Sequence, residues 1–284
     1  MKVGLIDIDS KIPNLALMKL SAYFKAEGHE TELTSPLFAD QHGVVYASKI
    51  FDFTPDPVLP EHTIKGGSGY SLTEVLDEDI ESMKPDYSLY PCDYAIGFTT
   101  RGCYRKCPHC IVPEKEGKFR IVGDVHDFWD GQHKVMLLDN ALNTDQEHFL
   151  RICEQLAGLN VAVDFSQGLD IRYLNNTQAW ALKDVRLWKQ IHFAWDMMAI
   201  EKQVRRGIGI LGKAKLKNKS MFYVLIGYDT TPEEDLYRVE TLRGLGVDPF
   251  VMPYNKFDTY QRQFARWVNH KAIFKTVQWQ EYRA

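Results

Sequence analysis

The chain has 284 residues, 45% of them hydrophobic and 25% charged, with a net charge of -4; these values exclude an intrinsically disordered chain and allow one large domain or two ordinary ones. No apolar run reaches the length a bilayer crossing requires, and the opening MKVGLIDIDS turns acidic after a few apolar residues, so it reads as a first strand and not as a signal peptide. The expected location is the cytoplasm, where thiols stay reduced and clustered cysteines serve more often as metal ligands or catalysts than as disulfides.

In chain order, KVGLIDID is a buried-strand pattern. Pro13 follows, then a helical stretch with Leu17, Leu20 and Phe24 on one face and Gly28 as its stop, and ETELTS resumes as strand. This is a βαβ opening of Rossmann type. VVYASKIFDF is a further strand, TPDPVLP breaks the chain, and Gly66 to Ser71 form a glycine-rich turn. The boundary is expected near residue 92, where the charge balance also changes. Residues 1–92 carry seven Lys and Arg against fifteen Asp and Glu, and the remainder carries twenty-seven against twenty-three.

From there YAIGFT, HKVMLLD, VAVDFSQ, IHFAWD, SMFYVLIGY and DPFVMPY alternate with stretches of helical character, the pattern of a parallel sheet with crossover helices. One helix is well marked, with Thr231 as N-cap, Pro232 at its first position, Glu234 completing a capping box, and Gly244 and Gly246 at its end. The sequence closes with an aromatic-rich amphipathic helix and tail.

The chemistry is concentrated in GFTTRGCYRKCPHCIVP, which holds Cys103, Cys107 and Cys110, three of the five cysteines. Thiolates at this spacing converge on one metal only if the chain loops round it, and Gly102 and Pro108 suit such a loop. Four-coordinate zinc wants a fourth protein ligand, for which His109 is the candidate. A four-iron cubane needs one ligand per iron, so three cysteines leave one iron open. Cys153 lies on an apolar face with Phe149 and Leu156 and is expected to be a buried structural thiol; Cys92 reads as a linker cysteine.

Cys103-x3-Cys107-x2-Cys110 after a strand, followed by the further strands named above, resembles the signature of the radical S-adenosylmethionine (radical SAM) enzymes. The resemblance implies an α/β fold: a Rossmann-like N-terminal layer over residues 1–92, followed by a partial (βα)6 TIM-type barrel with a C-terminal helical tail over 93–284. It implies a 4Fe-4S cluster on the three cysteines, S-adenosyl-L-methionine on the fourth iron, and reductive cleavage to a 5'-deoxyadenosyl radical that abstracts a substrate hydrogen. A reducing partner of flavodoxin or ferredoxin type is implied as well. Carried onto matching positions, His109 takes the place of the aromatic residue near the adenine. Asp139 and Asn140 stand where the methionine amino group is held, without the usual Gly-Gly-Glu. Gln167, Arg172 and Asp196 suit the ribose hydroxyls and the carboxylate, and Ile226 and Gly227 the adenine. For each acidic residue the alternative is a helix N-cap after a strand, and Asp170 and Arg172 are candidates to pair with one another.

The N-terminal layer resembles the cobalamin-binding class of that family, but Asp-x-His-x-x-Gly is absent. A degenerate domain is therefore expected that does not ligate cobalt through histidine, either a structural cap over the open barrel, the favoured reading, or a base-off cobalamin binder. GIGILG at Gly207, Gly209 and Gly212 fits GxGxxG, yet EKQVRR and no strand precedes it, so a loop or helix junction is expected. Seven basic residues from Lys202 to Lys219 form a solvated face or a phosphate-contacting surface, and Tyr260, Phe264, Trp267, Phe274 and Trp279 form either core or a stacking stripe. The substrate stays open among nucleic acid, nucleotide, peptide and small metabolite. The competing function is a zinc-stabilised nucleic-acid-binding module without catalysis.

Overall fold

The first apolar run forms β1 (Lys2–Asp7), and Asn14 caps α1 (Leu15–Ala26) by accepting from the amide of Leu17 at 3.2 Å. The computed structural model describes residues 1–283, so Ala284, the last residue of the expected second segment, lies outside them. Gly28, at φ +79°, turns the chain out of α1 into β2 (Glu30–Leu33), and β3 (Val44–Ser48) and β4 (Ile64–Gly66) follow. The four strands make one parallel sheet in the order β2-β1-β3-β4. Leu17 and Leu20 pack on Val3 and Leu5 of that sheet, while Met18 points the other way, into Ile96, Met136 and Leu138. One helix thus serves two cores.

A single turn, α2 (Glu78–Glu81), precedes β5 (Ala95–Gly97). Next comes an antiparallel pair, β6 (Thr100–Arg101) with β7 (Arg120–Ile121), and α3 (Val112–Lys115) lies between them. β8 (Lys134–Leu137), α4 (Gln146–Gly158), β9 (Ala162–Phe165), α5 (Asn176–Asp184) and the short β10 (Arg186–Leu187) complete a second parallel sheet, ordered β10-β9-β8-β5. β11 (Ile191–Ala194), α6 (Glu201–Lys213), β12 (Ser220–Ile226), α7 (Pro232–Gly244) and β13 (Asp248–Pro253) form a third, ordered β11-β12-β13 and again parallel.

All six strands expected after residue 92 are present, but they do not share one ladder. β10 occupies the edge of β9, with Trp188 N donating to Val163 O, so β11 reaches its neighbour through Leu169 N and His192 O at 2.8 Å instead of through strand pairing. Side chains that face outward from both sheets, including Leu137, Val163, Phe165, Phe193, Trp195, Phe222 and Val224, merge with the helices into one core. Each large apolar residue buried there contributes about 1.5–3 kcal/mol.

The expected capping box of α7 is present, Thr231 and Glu234 each bonding the other's backbone. GxGxxG falls inside α6, not at a junction: a side chain at Gly207 would run into Ile171, so this glycine serves close packing. In α8 (Thr259–Asn269) and α9 (Lys271–Thr276) the aromatic stripe is core, with Phe264 and Trp267 fully buried and Trp279 edge-on to Phe264 at 5.0 Å. No helix among the described residues is long and apolar enough to cross a membrane.

Candidate functional site

The cysteine loop leaves β5 and is closed at its base by the β6/β7 pair. Asp139, at the end of β8, clamps that base. Its Oδ1 accepts from the backbone and hydroxyl of Thr99 (3.0 and 2.8 Å) and of Thr100 (2.5 and 2.7 Å). His148 Nε2 lies 3.0 Å from Thr99 Oγ1, and Arg151 donates to His148 Nδ1, so the ring is a neutral Nε2–H donor. Burial pushes the Asp139 carboxyl up, against the pull of its four donors, and burial with Arg151 nearby holds His148 low. Gly102 then turns at φ +72°, where any side chain would strike the carbonyls of Gly117 and Lys118, and Cys103 N donates to Gly117 O at 3.3 Å. Tyr104 stacks on Phe119 at 4.6 Å across the loop.

The thiols of Cys103, Cys107 and Cys110 are free, the first two half-buried and the third exposed. Cys107 faces a half-open cavity of about 110 Å³ whose walls also include Arg105, His109, Asn140, Gln167, Arg172, Asp196 and Tyr223. Burial pushes the Cys107 thiol up, Arg105 opposes this, and the neighbouring Cys110 and Cys103 add to the rise. Arg105 N also donates to Cys103 Sγ at 3.4 Å.

Three free thiols on one loop supply a donor set that fits an iron–sulfur cluster. Among the described residues, however, no group of three or more His, Cys, Asp or Glu side chains is drawn together tightly enough to hold a metal as it stands. His109 sits edge-on to Tyr228 at 5.3 Å.

Of the residues singled out in the sequence, His109, Asn140, Gln167, Arg172 and Asp196 share the cavity wall with Cys107. Asp139 lies beneath it, holding the loop. Ile226 is fully buried in the outer core, and Gly227, at φ +74°, abuts the Gln261 amide, where a side chain would not fit. Helix capping explains none of Asp139, Asp170 and Asp196, since α4 is capped by Asp145, α5 by Asn175, and α6 has no side-chain cap. Asp170 and Arg172 do pair, at 2.9 Å, and Asp170 Oδ2 also stands 2.9 Å from Arg105 Nη1 in a poorly aligned contact that leaves both atoms without a hydrogen bond. Burial pushes Asp170 up to about 6, Arg105 opposing, and raises Asp196, whose Oδ1 accepts from Leu225 N at 3.0 Å.

Sequence reasoning missed Arg105, Tyr223, Glu116 and Arg238. Arg238 is fully buried beneath the site, bonded to the carbonyls of Trp195 and Leu225 and paired with Asp235 at 2.6 Å. Its spacing of three from Asp235 on α7 was the available signal.

No family model matches this chain, and no curated protein matches it. Among solved structures it is similar to the radical S-adenosylmethionine methyltransferase TsrM from Kitasatospora setae, solved with cobalamin and a [4Fe-4S] cluster bound. The two are 12% identical, with a TM-score of 0.63 over 89% of this chain and 72% of that one. At that distance the likeness concerns architecture alone: the chain shares the α/β fold of that solved structure over most of its length.

Proposed function

We propose that this protein is a radical SAM enzyme that cleaves S-adenosylmethionine reductively and takes a hydrogen atom from a substrate. The observation that carries the reading is the set of three free thiols on one hairpin-closed loop, one of which, Cys107, lines a cavity walled by charged and polar side chains. The shared fold supports it. Cys103, Cys107 and Cys110 would hold a 4Fe-4S cluster, which when bound supplies the electron that breaks the sulfonium and so frees the deoxyadenosyl group to attack a C–H bond. Arg172 and Arg105 offer positive charge to a carboxylate, Asn140 and Asp196 offer acceptors to an amino group or hydroxyls, and Gln167 offers both donor and acceptor. His109, beside Tyr228, offers a face for a base.

In this reading residues 1–92 are a Rossmann-like cap, and 93–284 a partial (βα)6 barrel whose wall is the second and third sheets, with a helical tail. A parallel sheet takes ligands where its strand order reverses, here between β1 and β3. That crevice is filled by the chain itself: Asn14 donates to Ser10 and Ser48 at 3.0 and 2.8 Å, Tyr90 donates to Asp7 at 2.7 Å, and Asp9 accepts from the amides of Ile50 and Phe51. These contacts support a structural cap that does not ligate cobalt through histidine. The protein acts in the cytoplasm with a flavodoxin- or ferredoxin-type reductant. A phosphate-bearing substrate, nucleotide or nucleic acid, is favoured over a peptide by the exposed Lys202, Arg206, Lys213, Lys215 and Lys219, none of which is in an ion pair among the described residues.

The test is anaerobic purification and reconstitution, iron, sulfide and zinc analysis, then dithionite reduction with S-adenosylmethionine. About four irons per chain and formation of 5'-deoxyadenosine are expected. Stoichiometric zinc without cleavage would return the protein to the nucleic-acid-binding alternative.

A further inference from the structure

Glu116 closes the short turn after α3 with its side chain only 8% exposed. Its Oε2 accepts from Gly102 N and from Asn140 Nδ2, both at 3.1 Å, and its Oε1 accepts from Arg101 Nη1 at 3.2 Å. One carboxylate therefore holds the amide next to Cys103 and a side chain of the cavity wall. Arg101 lies flat over Phe98, 3.6 Å from the ring centre, and gives its other arm to Glu81 Oε1 at 2.8 Å. Glu81 in turn receives Lys19 of α1, through Oε1 at 3.0 Å and through its carbonyl. The charges alternate from Lys19 to Glu81 to Arg101 to Glu116, and the path runs from the N-terminal sheet's helix into the thiol-bearing loop. A parallel tie joins Lys115 Nζ to Ser68 Oγ of the glycine-rich turn at 3.4 Å.

We propose that Glu116 is a positioning residue through which the N-terminal unit sets the conformation of the cysteine loop, with Lys19, Glu81 and Arg101 as the links of the brace. Ion pairs on a surface are weak because water competes for both partners. Here two links are shielded, Arg101 at 20% side-chain exposure and Lys19 at 13%, and each charge is held by more than one bond. Shielded, multiply bonded charges resist rearrangement because loss of one partner strands the next. Gly102 has a second reason to depend on Glu116: its left-handed turn directs the amide away from the ladder of β6 and β7, and the carboxylate is the partner it finds.

That the loop carries a cluster rests on the function proposed above; the brace itself is a property of the metal-free chain and is tested there first. Hydrogen exchange would be followed in Glu116→Ala and, at the distant and more exposed end, Glu81→Ala, with Glu81→Gln as the conservative partner that keeps an acceptor for Arg101. The expected result is at least a tenfold faster exchange over residues 101–119 in both alanine variants, a smaller rise in Glu81→Gln, and no change in β12. In reconstituted protein the same alanine variants should lose at least half of the bound iron. Unchanged exchange over 101–119 in Glu81→Ala overturns the brace, as does a uniform rise across the chain, which marks general destabilisation. If exchange behaves as expected but the wild-type chain takes up no iron, the brace stands and the radical SAM reading falls.

Discussion

Cys153 and the three loop cysteines show how one residue type divides by surroundings. Cys153 is 2% exposed on the inner face of α4, and burial pushes its thiol up to about 12, so it behaves as a small apolar residue. The loop thiols are half-buried or exposed and free, and Cys107 shares the cavity wall with Arg105. Replacing any of Cys103, Cys107 or Cys110 with Ala is expected to abolish cluster retention, read by iron content and visible absorbance. Cys153→Ala should keep the iron and cost roughly 1 kcal/mol of stability, the worth of a small buried apolar group. Equal iron loss in Cys153→Ala would overturn the ligand assignment. The motif was readable because its spacing is local, whereas Arg105 and Tyr223 gained meaning only when the fold set them on the wall facing Asp170 and Asp196.

Among the elements, helices with local signals matched expectation closely. The capping box of α7 uses residues three apart in sequence, and the stop of α1 needs one glycine at positive φ. Thr231→Ala is expected to destabilise the protein by about 1 kcal/mol, measured by urea unfolding, with Thr231→Gly costing only a few tenths. Gly207 behaved differently. Its GxGxxG neighbourhood suggested a junction, yet α6 runs through it because the glycine lets the helix lie against Ile171, a contact from a segment some thirty-five residues away. Strand positions were likewise legible from apolar runs, but the break between β9 and β11 was not. That break depends on β10 occupying the edge, and a two-residue strand has no periodicity to read.

For the whole molecule, the informative residue is Met18. It is fully buried among Ile96, Met136 and Leu138, so the first 92 residues plug the inner face of the second sheet as well as forming their own layer. A chain of residues 93–284 alone is expected to expose that patch and to elute as aggregate in size-exclusion chromatography, where the full chain elutes as a discrete species. A well-behaved truncated chain would show that the inner face does not need its plug.

The sequence by itself determined the α/β class, the order of strands and helices, the buried state of Cys153 and the thiol loop, because each rests on spacing within about a dozen residues. Tertiary structure alone decided that Asp139 clamps the base of the loop instead of lining the cavity, that the aromatic stripe is core, and that Lys19 and Glu116 stand at two ends of one chain of charges. Those facts depend on which side of a strand or helix meets which neighbour across the fold, and contacts between residues fourteen to sixty-two positions apart leave no periodic trace in a single sequence.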